Sequence, residues 1–475
     1  MHEFNSLFDS CQKAFNQNRT LERARKLGHG LLTCFGRHTI TGILSATGQQ
    51  FIDWSAAYKL FKCDRMDVNR LFDVARQKAI SLLPNCHRII AHLDDTLIRK
   101  RGKKIPGAAW RRDPLGPSFH TNFVWGQRFI QISMAVPTQD GFCQARAIPI
   151  DFHHTPSIKR PNKTASDAEN LEFKKQQSLA KLSHQGSTRI QQLRFKLNQD
   201  GHQNTNLCLS VDGSYTNQTV LQQLPANTTL IGRIRKDTKL YTVPASQNAR
   251  GRKKIYGERI PTPEQIRQST EHEYKVIKAW ATGKIHDFHV KVIHNLKWRP
   301  AGENHHLQLV IIRPLGYRLT KFSRILYREP AYLICTDDNL NTEELLQAYL
   351  WRWEIEVNFR DEKTLLGCGQ AQVRSPQSIE KAPAFSVAMY AFIHLAALVA
   401  NKIRDTSSIL PRPKWDPAEM NQRLSTMEII NLFRLQAWSN SIKENFLGFV
   451  KKELDCKSLR NCADPLLSAS LYLRK

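Results

Sequence analysis

Tyr349, Arg352, Glu356 and Lys363 follow the spacing Y-x2-R-x3-E-x6-K. On an α-helix of about 3.6 residues per turn, offsets of three, seven and fourteen fall within a wedge of roughly 60°. A phenol, two cations and a carboxylate would then share one stripe. That mixture is poorly suited to a hydrocarbon core, and it suits a site handling phosphate together with a divalent metal. Glu354 and Glu362 are expected to project away from the stripe and solvate the helix, with Asn341 and Glu344 capping its start and Gly367 stopping it. Trp351, Trp353 and Phe359 are large neighbours for an exposed helix and predict that it packs against another element.

Charged residues at helical spacing also arise on ordinary solvated faces, so the weight comes from two further acids. Residues 87–93 read as a strand ending at Asp94-Asp95-Thr96, and residues 206–211 as a short apolar strand ending at Asp212-Gly213. An aspartate after a strand is ordinarily a turn residue or a helix cap. Three acids in this order, Asp95, Asp212 and Glu356, instead fit a carboxylate triad. A few carboxylates plus substrate phosphate oxygens are enough for Mg2+, a hard cation that keeps several waters. Two such ions about 4 Å apart activate an attacking oxygen and stabilise a leaving one at phosphorus. Two adjacent acids cannot both face one site from a strand; Asp95 is the preferred ligand, with Asp94 as the alternative. His92, His153 and His154 have no partner spacing that supports a transition-metal site. Neither glycine-rich nucleotide-binding motif stands out.

Cations surround these acids. Arg99, Lys100, Arg101, Lys103 and Lys104 follow the first one and could clamp a phosphate backbone, while Arg352 and Lys363 flank Glu356. Tyr349 could hydrogen-bond a phosphate or stack on a base. The chain of 475 residues carries 70 Lys and Arg against 42 Asp and Glu, a formal charge of +28. A compact body so basic repels itself unless a polyanion neutralises it, so nucleic acid is the expected partner.

The elements that must position these residues follow from periodicity. Residues 1–85 are expected to be helical, with a DNA-binding role open. Strands are expected near 122–136 and 145–150, and a polar helix over 166–197. The acid-bearing strands belong to an α/β pattern whose ligands gather at strand ends. This gives a first core segment over 86–220, a β-rich basic insertion over 221–332, a second core segment over 333–405, and a basic C-terminal region over 406–475. Strands are expected in the insertion near 274–281, 286–293 and 306–312. Basic clusters stand at 233–236 and 250–254, and in the tail at Lys451, Lys452, Lys457 and Arg460. The apolar stretch 384–400 contains His394 and reads as a buried helix. Ten cysteines without a paired framework read as thiols of a reducing compartment, and the N-terminus lacks the pattern of a secretory signal. A cytoplasmic, nucleoid-associated protein is expected.

The chain resembles bacterial insertion-sequence transposases of the DDE type, in the group marked by the Tyr-Arg-Glu-Lys signature. Tyr349, Arg352, Glu356 and Lys363 fit every signature position. The segment Asp-Asp-Thr-Leu-Ile-Arg-Lys-Arg-Gly-Lys-Lys looks like the surroundings of the family's first aspartate, and Leu-Ser-Val-Asp-Gly-Ser-Tyr like those of its second. The likeness spans roughly residues 93–369. It implies a ribonuclease-H-like core interrupted by a β-rich insertion, with helical N-terminal and C-terminal regions. It also implies Mg2+-dependent cut-and-paste transposition, with Mn2+ able to substitute and two ions bound. The substrates would be double-stranded DNA at terminal inverted repeats and at the target, with a homodimer pairing two ends. Related enzymes stack a flipped base on an aromatic of the insertion; Trp280 and Trp298 are candidates that no motif separates. Two other readings stand beside this one: a metal-dependent nuclease that does not join, and a transposase-derived repressor that only binds.

Overall fold

The computed structural model describes residues 1–49, 53–83, 88–113, 116–117, 119–138, 143–244, 253–320, 322–403, 414 and 423–445. The chain opens with helices α1 (His2–Asp9), α2 (Asn18–Thr33), α3 (Ile40–Ala46), α4 (Ser55–Lys62) and α5 (Val68–Ser81). Strands β1 (Arg88–Arg99), β2 (Ala109–Arg112), β3 (Phe123–Pro137) and β4 (Ala145–His154) follow, then α6 (Asp167–Leu179), α7 (Leu182–Gln199), β5 (Asn206–Val211), α8 (Gln218–Leu221) and β6 (Thr228–Arg233). Next come β7 (Tyr241–Thr242), α9 (Pro263–Gln268), β8 (Lys275–Ala281), β9 (Lys284–Lys297), β10 (Leu307–Ile312), β11 (Gly316–Tyr317), β12 (Leu326–Tyr327) and β13 (Ala331–Cys335). Helices α10 (Thr342–Trp351), α11 (Trp353–Thr364), α12 (Pro376–Ile403) and α13 (Thr426–Asn445) close the described chain.

The fold is mixed α/β around one large mixed sheet. Among the described residues that sheet has 11 strands in the order β2-β3-β1-β5-β6-β13-β10-β9-β7, with β4 also on β3 and β8 also on β9. β1 runs parallel to β5, and β5 to β6, while β3 and β4 are antiparallel. The strands after β6 join the same sheet through antiparallel β13, so residues between Asp212 and Glu356 extend the sheet that carries Asp212.

Helix α12 packs against β4, α5, α1 and α4. Its stretch from Pro376 to Ala400 is long and apolar enough to cross a membrane by length and composition, but most of it is buried inside the protein. A helix apolar on all sides belongs in an interior; here Phe392 packs edge-on against Phe8, with ring centroids 5.6 Å apart. The apolar run over residues 384–400 is therefore a core pattern. Seven described cysteines, from Cys11 to Cys368, are free thiols.

Several expectations need correction. β1 does not stop at Asp94: antiparallel pairing with β3 carries it through Arg99, so both acids lie inside the strand. The polar helix over 166–197 is two helices that meet at Ala180 and Lys181. β2 has little apolar signal in the sequence, because its four residues alternate exposed and half-buried. Residue 87, residues 250–252 and the tail lysines and arginine Lys451, Lys452, Lys457 and Arg460 lie outside the described residues.

Candidate active site

Successive residues of a strand point to opposite faces of its sheet. In β1, Asp94 pairs across with Gln131 and Asp95 with Ile130. Asp94 therefore shares a face with His92 and Gln131, the face on which α11 lies. There, Arg352 Nη1 donates to Asp94 Oδ2 at 3.1 Å and Arg352 Nη2 to Glu356 Oε1 at 3.2 Å. Asp95 turns to the other face. Its Oδ1 accepts from the Tyr215 hydroxyl at 3.1 Å, and Arg128 Nε stands 3.3 Å from its Oδ2. Tyr215 is fully buried there, close against Gly186 of α7.

Asp212 enters through the parallel register, in which Leu93 pairs with Val211 and the next residues are Asp94 and Asp212. Its carbonyl accepts from the Tyr215 amide at 3.0 Å and the Thr216 hydroxyl at 3.1 Å, which fixes the turn after β5. The Asp212 charge raises the pKa values of Asp94, Asp95 and Glu356, so it lies within electrostatic reach of all three. Burial is the larger cause in each case. It pushes Asp94 up to about 7 against the pull of Arg352, and raises Asp95 against Arg128 and Glu356 against Arg352. Burial also opposes the charge of Arg352, but Tyr349, Asp94, Glu356 and Asp212 more than offset it and hold that guanidinium above its usual range.

The residues from Tyr349 to Lys363 do not form one unbroken stripe. The helix tightens at Arg352, where the Arg352 amide donates to the Tyr349 carbonyl and the Ile355 amide to the Arg352 carbonyl, both at 3.1 Å. Trp351 is buried, and its indole N–H donates to the Cys143 carbonyl at 2.9 Å. Tyr349 stays with Arg352, whose Cζ is 5.8 Å from its ring centroid. Lys363 stands apart over the Phe359 ring, its pKa lowered by burial, with Cys368, Glu362 and Arg99 as its titratable neighbours.

Glu354 and Glu362 do not solvate the helix. Arg423 Nη1 donates to Glu354 at 2.8 Å, and Glu362 is only 1% exposed, accepting from Gln131 Nε2 at 3.0 Å. Packing wins because α11 has sheet on one side and the C-terminal helices on the other. Asn341 does cap α10, accepting from the Glu343 amide at 2.8 Å, but Glu344 pairs with Arg88 instead of closing a capping box.

A polar seam pins α11 to the sheet. Asn358 Nδ2 donates to Ser133 Oγ at 3.1 Å and to the Ala147 carbonyl at 3.0 Å, and the Tyr390 hydroxyl donates to Asn358 Oδ1 at 3.0 Å. Sequence reading missed Gln131, Ser133, Asn358 and the buried role of Glu362. The available signal was polar pairs at the period of their own elements: Asn358 and Glu362 four apart on a helix, Gln131 and Ser133 two apart on an apolar strand.

The cations beyond β1 take different roles. Arg99 pairs with Asp113 at 2.8 Å, and Lys100 donates to the Gly369 carbonyl at 3.1 Å, its pKa lowered by burial. Arg101, Lys103 and Lys104 are exposed. Beside Asp212, a cleft of about 710 Å³ is lined by Gly213, Arg233, Arg235, Lys236, Arg267 and Trp298. Trp280 is elsewhere, its backbone N–H bonded to the Gln347 side chain. His92 is fully buried, and His154 pairs with Glu380 at 3.1 Å.

A carboxylate-bearing strand pair, a glutamate on a helix packed across it and a cleft alongside lined by four basic and three acidic residues agree with what sequence comparison finds: the DDE superfamily endonuclease family matches residues 11–289. The chain belongs to the DDE superfamily endonucleases. The matched segment includes Asp94, Asp95 and Asp212 and ends before Glu356. No curated protein shows a significant match.

DDE-type endonuclease domains act on DNA and use divalent metal ions. Among the described residues, no three His, Cys, Asp or Glu side chains stand close enough together to hold a metal ion; the cation between Asp94 and Glu356 is the Arg352 guanidinium. The donor chemistry nonetheless fits a hard divalent cation. All candidate donors are carboxylate oxygens. Burial raises the pKa values of Asp94, Asp95 and Glu356, and the nearby Asp212 charge adds to each rise.

Proposed function

We propose that this DDE endonuclease is an insertion-sequence transposase of the Tyr-Arg-Glu-Lys group, cutting double-stranded DNA at element ends and joining the freed 3′ end to a target. The observation that supports this most is the junction of Asp94, Arg352 and Glu356 across β1 and α11, with Asp212 next to it in register. The strand order β4-β3-β1-β5-β6, with three antiparallel strands followed by two parallel ones, favours a ribonuclease-H-like core. The later strands would then be the family's β-rich insertion.

In this reading Asp94, Asp212 and Glu356 would hold the metal once its charge draws them together, and Asp94 replaces Asp95 as the first ligand because it shares the face of Glu356. Bound Mg2+ supplies a polarised phosphate and an activated oxygen nucleophile. Arg352 holds Asp94 and Glu356 in place and can turn its fork to a phosphate next to the cut. Tyr349 fixes the plane of that guanidinium. Asp95, bound by Tyr215 and Arg128, positions β1 from behind. Arg233, Arg235 and Lys236 line the path of the backbone past Asp212. Working on two ends at once calls for a homodimer.

A strand-transfer assay with Mg2+, an end-bearing duplex and a target plasmid tests the proposal. Joined product is expected. Cutting without joining would replace it by a nuclease, and binding without cutting by a repressor.

A further inference from the structure

β2 and the first residues of β3 form a two-stranded ribbon that passes beyond the candidate carboxylates. Trp110 pairs across with Trp125, and Arg112 with Phe123. Counting by twos along β3 from Phe123 and Trp125 through Gln127 and Phe129 reaches Gln131, the partner of Asp94. The aromatic side chains and Arg112 therefore stand on the face that carries Asp94 and Glu356. Gln131 lies six positions along β3 from Trp125, which at strand rise is about 20 Å.

Ordinary packing does not account for this surface. Trp110 is 63% exposed and Phe123 59% exposed, although each would bury most of its ring in a core. The two indoles meet edge to face with centroids 5.7 Å apart, and the Trp125 N–H is held by the Gly102 carbonyl at 2.9 Å. That support fixes the ribbon's shape while leaving the Trp110 and Phe123 rings open. Arg112 is exposed beside them. Exposed aromatics interleaved with arginine make a stacking platform for bases, whose faces are available only where the strand is unpaired. A duplex would offer the same surface its phosphates and hide its bases.

We propose that Trp110, Phe123 and Arg112 form a binding platform for unpaired DNA, gripping a single strand about 20 Å or more from the carboxylates. This rests on the DNA-processing reading and adds a substrate class to it: ends that carry or open into a single-stranded segment.

The test is fluorescence anisotropy of the full chain, without metal, on a labelled oligothymidylate of twelve nucleotides and on a blunt duplex of equal length. Trp110→Leu/Phe123→Leu keeps the apolar bulk of the ribbon and removes the stacking surface. It is expected to weaken single-strand binding roughly tenfold or more while changing duplex binding less than about twofold. Trp110→Phe/Phe123→Trp should retain single-strand binding within about threefold. Equal affinity of the leucine variant and wild type for the single strand would overturn the platform. So would a matching loss on the duplex, or an aromatic-preserving variant as weak as the leucine one. Because binding is read without metal, failure of wild type to cut or join DNA in the Mg2+ strand-transfer assay would count against the proposed transposase and leave this result standing.

Discussion

Asp94→Asn and Asp95→Asn, compared side by side, separate the two faces of β1. Both side chains are mostly shielded, at 18% and 19% exposure, and both oppose an arginine. Their tasks differ. Asparagine at position 95 keeps an acceptor for the Tyr215 hydroxyl and removes the charge facing Arg128. Breaking a deeply buried ion pair costs about 3–5 kcal/mol. Here Arg128 keeps 23% exposure, and burial already raises the Asp95 pKa, so the charge adds little net stability. A loss of about 1–2 kcal/mol is expected, with cutting by the folded protein within about tenfold of wild type. Asparagine at position 94 should change stability by no more, yet it removes an oxygen proposed to bind the metal. Several kcal/mol of transition-state stabilisation corresponds to a loss of roughly a thousandfold or more. Mg2+-dependent nicking of an end-bearing duplex, alongside thermal unfolding, reads both quantities. Full nicking by Asp94→Asn together with a folded but inactive Asp95→Asn would refute the assignment of faces.

Glu362 is buried beside Gln131, and its pKa is pushed up to about 8 by burial. A carboxyl whose folded pKa lies above its unfolded value contributes stability below the unfolded pKa of about 4.5 and loses it as pH rises through about 8. Glu362→Gln should therefore flatten the fall in urea midpoint between about pH 5 and pH 8.5; parallel curves for variant and wild type would contradict this. Replacing the exposed Arg101, Lys103 and Lys104 by alanine should reduce the slope of log affinity for duplex DNA against log salt by about 0.9 for each phosphate that is no longer neutralised, and an unchanged slope would remove them from the interface. A Cβ added at Gly186 would lie 2.8 Å from two carbons of the buried Tyr215 ring. Gly186→Ala should thus cost about 1–2 kcal/mol by overpacking despite its better helix propensity, read as a lowered unfolding midpoint; a raised midpoint would show that Tyr215 can move.

Much of the frame was legible in the sequence because its signals are local. β5 follows from one apolar run bounded by polar residues, the N-terminal helices from their periodicity, and the polyanionic partner from net charge. The residue set Tyr349, Arg352, Glu356 and Asp212 could be picked out by type and spacing. What each side chain faces could not. Adjacent acids in β1 are equivalent in the sequence, and only pairing with β3 and β5 sends Asp94 toward α11 and Asp95 toward Tyr215. A one-residue shift of register would exchange them. Tertiary packing likewise decided that half-buried Glu354 and buried Glu362 are partners of Arg423 and Gln131 and not solvating charges, and that Lys363 leaves the company of Arg352. Local pattern fixes which face of an element is apolar, whereas the neighbour that covers its polar residues comes from segments distant in the chain.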